Sequence, residues 1–178
     1  MTELATGRAI VVGVDGSEAS AAALRWATEQ ARALRAEVVA VHAWEATAPR
    51  VAPYAPVSVL PTPAEERDAA ARLLTETLRR AFGPRIDDAV RAELVEGPAV
   101  RVLLDRARGA LLLVLGRTAH GQLDLPAGGV VGRGCLRHAT VPVVAVPTPD
   151  RPAVPLRVVG TRLGPRAELF EAQSVSVT

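Results

Sequence analysis

The sequence predicts a doubly wound α/β domain: a five-stranded parallel sheet with helices on both faces. Three observations predict it. Short, unbroken, branched apolar runs such as Ala9–Val14 and the "LLLVLG" run ending at Gly116 read as strands covered on both faces. Between such runs lie stretches whose apolar residues recur every three or four positions, the mark of a helix with one buried face. The two patterns alternate and the series ends on a strand, which demands parallel strands joined by right-handed crossovers.

The elements follow in order. Ala9–Val14 stops at Asp15-Gly16-Ser17, where Ser17 suits a helix N-cap. Leu24, Ala27, Ala31 and Leu34 predict the buried face of that helix, and Glu37–Ala43 the second strand. Residues 45–63 carry five prolines and no period, so they read as a long loop. A helix starts near Pro63, with proline tolerated in its first turn. Ala70, Leu74, Leu78 and Ala81 form its core face, and Gly83-Pro84 stops it. Val90–Val95 alternates apolar and polar residues, as a half-covered or edge strand does. Gly97-Pro98 opens a helix with Val100, Leu103, Leu104 and Ala107 on its inner face. After Gly116 a glycine-rich loop leads to a helix over Val130–His138 and then to "VPVVAVP", where Pro142 fits the start of a strand or a free edge. The domain is expected over residues 1–147, with 148–178 a flexible extension.

Composition excludes several function classes. The chain has 178 residues, 49% of them apolar, which is one domain with a sizeable core. Net charge is +2 although the isoelectric point is about 9.4. All 21 basic residues are arginine, so few groups titrate between neutrality and the arginine range. The high isoelectric point is therefore no nucleic-acid footprint, and no basic stripe supports one. Without lysine there is no Schiff-base chemistry and no Walker-type lysine on a phosphate. The lone Cys135 cannot form an internal disulfide. No signal-peptide pattern opens the chain and no apolar run reaches membrane-spanning length. The expectation is a cytoplasmic protein that binds neither nucleic acid nor membrane.

Open α/β sheets bind ligands beyond the carboxyl ends of their strands, where the winding reverses. Asp15 follows the first strand and Gly116 the fourth. A carboxylate there can accept from ribose hydroxyls, while glycines let backbone N–H groups approach a phosphate ahead of a helix N-terminus. Each also has a plainer reading: glycine-rich loops turn chains, and an aspartate before a helix caps it. His42 reads as a half-buried histidine bonded near the sheet end, His138 as a cation on the last turn of its helix, and His120 as a solvated loop residue. The three histidines lack metal-ligand spacing, so no metal site is expected. Cys135, Trp26 and Trp44 read as packing residues. No Ser-His-Asp or Cys-His set assembles without arbitrary choice. Gly132 and Gly134 each cost about 1 kcal/mol inside a helix, which implies close backbone packing or a frayed first turn.

The segments "IVVGVDGSEASAAALRWATEQA", "VVAVHAWE", "VEGPAVRVLLDRA", "LLLVLG" and "GRGCLRHATVPVVAV" occur in the order found in universal stress proteins, which the chain resembles over roughly residues 8–147. The resemblance implies strand order 3-2-1-4-5, and a homodimer paired through the fifth-strand edge. It implies ATP as ligand, with magnesium only as its companion, held by Asp15, the Ala43 backbone, Leu115, Gly116, Gly129, Val130 and Val131. ATP-binding members carry G-x2-G-x9-G-[S/T]; here Gly116, Ala119, Gly129 and Val130 occupy the fixed positions. Ala119 replaces a glycine and Val130 the phosphate-binding hydroxyl, a loss of about 0.5–1.5 kcal/mol of net hydrogen bonding. A further hydroxyl position is Gly132. The expected function is stress response through nucleotide binding rather than turnover. A nucleotide-free interaction module is the first alternative. A weak nucleotide hydrolase using Asp15, with Asp124, is the second.

Overall fold

A computed structural model of the chain describes residues 8–46, 61–84, 89–117 and 129–148. The elements alternate as expected: β1 (Ala9–Gly13), α1 (Glu18–Leu34), β2 (Glu37–Trp44), α2 (Pro63–Phe82), β3 (Val90–Glu96), α3 (Ala99–Arg106), β4 (Leu112–Arg117), α4 (Val130–His138) and β5 (Val143–Pro147). Every neighbouring pair is parallel, and the order is β3-β2-β1-β4-β5. The alternating run at Val90 is thus an edge strand, and Pro142 sits just before the other edge, where its carbonyl accepts from Leu113 N–H. Most of the proline-rich loop, the loop after Arg117 and the chain beyond Thr148 lie outside the described residues.

The apolar runs bury both faces because successive strand residues point to opposite sides. Ile10, Val12, Val38, Ala40 and Val114 meet Leu24 of α1 and Leu74 and Leu78 of α2. Val11, Val39, Val41, Leu113 and Leu115 meet Leu103 of α3 and Cys135 of α4. Cys135 is fully buried, and that burial pushes its thiol up, as expected of a packing residue.

Local chemistry fixes the helix ends. Ser17 Oγ accepts from Ser20 N–H at 3.1 Å and caps α1. Thr62 and Glu65 form a capping box at α2, with Pro63 in the first turn. Gly83 ends α2 with φ +77°.

The end of α1 and the inner face of α3 differ from expectation. Leu34 is 43% exposed; it stands at the rim of the α1 stripe in the last turn and belongs to neither core cluster. On α3, Val102 is buried while Leu104 is only half-buried, because Val102 folds onto Gly97, where the chain turns with φ +137°.

The two glycines of α4 separate the readings offered for them. A Cβ on Gly134 would stand 2.8 Å from Val100 Cγ2, so Gly134 lets α3 and α4 pack closely. A Cβ on Gly132 would meet nothing within 4 Å. In ligand-free protein, Gly134→Ala should therefore lower stability by about 1–2 kcal/mol, overpacking exceeding the propensity gain. Gly132→Ala should raise it by about 0.5–1 kcal/mol. Denaturant midpoints of the two variants check the opposite signs.

Candidate functional site

The reversal of winding falls between β1 and β4, and the chain opens a cavity there. Strand ends set its floor. A Cβ on Gly13 would stand 2.7 Å from Leu115 Cδ2, and one on Gly116 would stand 2.6 Å from Ser20 N, against the first turn of α1. At Gly116 the atoms met are backbone and only glycine allows the approach, whereas at Gly13 the Leu115 side chain would have to shift. The cavity measures about 300 Å³, the lower end of the range for small-molecule sites.

All seven residues singled out in the sequence line this one cavity: Asp15, Ala43, Leu115, Gly116, Gly129, Val130 and Val131. Ala119 and Asp124, along with the rest of the loop between Arg117 and Gly129, lie outside the described residues. Lining residues that sequence reasoning did not place there include Ser17, Ser20, His42, Ala99 and Leu103, while Gly132, the further hydroxyl position of the family pattern, does line it. For His42 a signal existed: it precedes Ala43 at the carboxyl end of the same strand. For Ala99 and Leu103 there was none, since their approach depends on how α3 packs.

The two helix N-termini at the cavity differ. At α1 the Ser17 hydroxyl takes the Ser20 N–H, and Ser20 Oγ donates back to the Ser17 carbonyl at 2.9 Å. At α4 the cap is Gly129, which has no side chain to offer, and no side-chain cap bond forms. Among the described residues the first N–H groups of α4 thus keep their donor capacity at the cavity rim, where the helix dipole favours an anion. Val130 stands 76% exposed beside them.

Asp15 combines both readings given to it. Its Oδ1 accepts from the Ser17 N–H at 3.0 Å and from the Ser17 hydroxyl, the turn bonding expected before a helix. Desolvation by the surrounding chain raises its pKa, but the bonds from Ser17, with a smaller one from Ser20, outweigh this and hold the carboxyl below its ordinary value. Asp15 is therefore ionised at neutral pH. It is the one carboxylate, and no arginine appears, among the described residues lining the cavity. The next turn is fastened from outside: Arg80 of α2 donates to the Gly16 carbonyl at 3.0 Å, and Gly16, at φ +84°, lies against Leu73.

His42 has the hydrogen bond expected of it. A carbonyl can only accept, so His42 Nδ1–H donates to the Val14 carbonyl, at 2.7 Å. Among the described residues no group of three or more acidic, histidine or cysteine side chains is arranged to hold a metal, and no helix is long and apolar enough to cross a membrane.

Fold and cavity define the class: a doubly wound α/β protein with a cavity at its topological switch point. The model of the universal stress protein family matches residues 7–147, and the chain belongs to that family. It is 32% identical over 149 residues to universal stress protein Rv2623 of Mycobacterium tuberculosis, covering 79% of this chain and 48% of that protein. The chain thus spans about half the length of the curated relatives it matches. Among solved structures it resembles a universal stress protein in complex with cAMP (26% identity, TM-score 0.56, 79% of this chain and 97% of that one). It also resembles a universal stress protein family member from Burkholderia pseudomallei (28% identity, TM-score 0.56, 79% and 96%).

The lowered pKa of Asp15 makes a signed prediction. A group whose folded pKa is depressed contributes stability above its unfolded pKa and loses it as pH falls through the folded value. The stability gap between wild type and Asp15→Asn should hold from neutrality down to about pH 4 and narrow below it. Urea denaturation of both proteins across that range checks this.

Proposed function

We propose that this chain is a stress-response protein that works by reversibly binding an adenine nucleotide in the switch-point cavity, without turning it over. One observation carries the reading: a single cavity gathers a strand end at Ala43, a carboxylate at Asp15 and the uncapped N-terminus of α4. These suit a base, a ribose and a phosphate in turn. The cAMP complex of a relative at 26% identity supports the ligand class. Asp15, the one carboxylate among the described lining residues, is already bonded to Ser17, which supports binding over hydrolysis. Cys135, unpaired and buried, supports a cytoplasmic setting. The reading assigns residues 1–147 to the binding domain and 148–178 to an extension.

Charge favours a ligand with one phosphate. The described lining offers an ionised Asp15 and no arginine, so nothing there balances a triphosphate, and Val130 presents methyl groups where a hydroxyl would bond. Calorimetry without magnesium should show AMP and cyclic AMP binding at least about threefold more tightly than ATP. Asp15→Ala should weaken all three. Tighter binding of ATP would overturn the charge argument.

A second reading has an observation of its own. Val130 and Leu136 expose 76% and 50% of their surface on α4, as an interaction surface would. Absence of heat and of thermal shift with every nucleotide at millimolar concentration would favour that nucleotide-free module.

The reading includes a homodimer through β5, the outermost strand beside β4 among the described residues; an edge strand is a liability unless paired or covered. Light scattering at tens of micromolar should give twice the 18.6 kDa chain mass. A monomeric mass would count against this pairing.

A further inference from the structure

We propose that His42 is a positioning residue that keeps the main chain of Ala43 open for a ligand; the ligand's identity rests on the reading above. The inference comes from ladder register. Strand β2 lies between β1 and β3, and its residues alternate in which neighbour they bond. Val38 N–H donates to Ala89 O and Trp44 O accepts from Gly97 N–H, so the even positions of β2 turn to the β3 side. Glu37 N–H donates to Arg8 O and Val41 O accepts from Val14 N–H, so the odd positions turn to β1.

Ala43 is odd, and it lies two residues beyond Val41, whose partner Gly13 ends β1. Continuing the ladder by one rung would send Ala43 N–H to Val14 O. That bond is not made among the described residues. The Val14 carbonyl instead accepts from His42 Nδ1–H at 2.7 Å. His42 thereby occupies the acceptor that would close the rung. Among the described residues the N–H and C=O of Ala43 stay unpaired on the side that β1 has vacated, at the cavity wall.

An unpaired donor and acceptor on one extended residue suit a base edge with an adjacent acceptor and donor, such as N1 and N6 of adenine. Leaving them unpaired against β1 has a modest local cost, the hydrogen bond that the ladder forgoes. The imidazole supplies the replacement partner for Val14, so no buried carbonyl is orphaned. His42 touches the machinery through Val14 and need not touch the base.

The test uses the full chain and reads amide hydrogen exchange by NMR, with AMP as probe. In ligand-free wild type the Ala43 amide should exchange at least about tenfold faster than that of Val41, whose side of the ladder is closed. In His42→Leu the freed Val14 carbonyl can take the Ala43 N–H. Ala43 exchange should then slow about tenfold and AMP affinity fall about three- to tenfold. In His42→Asn the side-chain amide nitrogen stands where Nδ1 stood, so both properties should return to wild-type values. An Ala43 amide as protected as Val41 in wild type would overturn the proposal. So would unchanged exchange and affinity in His42→Leu. If His42→Leu fails to fold, the wild-type exchange pattern and His42→Asn decide. If wild type binds no nucleotide, the binding reading falls, while the exchange comparison still decides the role of His42.

Discussion

The site depends on one steric constraint: the end of β4 lies directly against the first turn of α1. A Cβ on Gly116 would sit 2.5 Å from Ala19 O and 2.6 Å from Ser20 N. Those atoms are backbone in a capped helix, so no rotamer change could relieve the clash. With glycine there, α1 can cross over the β1–β4 junction and still bury Leu24 on the sheet. The cavity is what remains where α1 has been drawn down onto β4 and α4 starts afresh at Gly129. A side chain at position 116 would lift α1 and disturb both the core beneath and the wall above.

Around that constraint the polar groups divide into satisfied and unsatisfied sets. Asp15, Ser17 and Ser20 bond to one another and to the first turn of α1, which makes the β1–α1 corner rigid and ionised. Arg80 and Leu73 of α2 fasten its outer side at Gly16. Opposite in character are the first turn of α4 and the main chain of Ala43, whose donors and acceptor stay without protein partners among the described residues. Ala43 is half-buried and the first turn of α4 is largely exposed, so one set faces the cavity wall and the other its rim, where a ligand can bond to both. The low charge of the lining argues for a ligand that needs few cations.

Much of this was legible in the sequence, and the reason is periodicity. Runs such as Ile10–Val12 and Leu113–Leu115 have no polar face, so they could only be central strands, and their alternation with helices fixed a parallel sheet. Ser17 and Gly83 were legible as helix ends because capping is local chemistry. The switch-point argument pointed to Asp15 and Gly116, and the family resemblance supplied the strand order and the other five lining residues, which composition alone would not have gathered. What stayed hidden is tertiary. Leu34 fits the helical stripe yet reaches neither core, and Val102 lies off the stripe yet folds onto Gly97. The role of Gly134 depends on Val100 of another helix. The open rung at Ala43 depends on where β1 stops relative to β2, a register that no local pattern encodes.

The central claim is that an adenine nucleotide occupies the switch-point cavity. Backbone amide shifts on titration of 15N-labelled protein with AMP test it most directly. The account predicts saturable shifts concentrated at Asp15, Ala43 and Val130–Gly132, with little change along the outer turns of α2. Saturable shifts confined to other surfaces, or none at these positions at millimolar AMP, would contradict it.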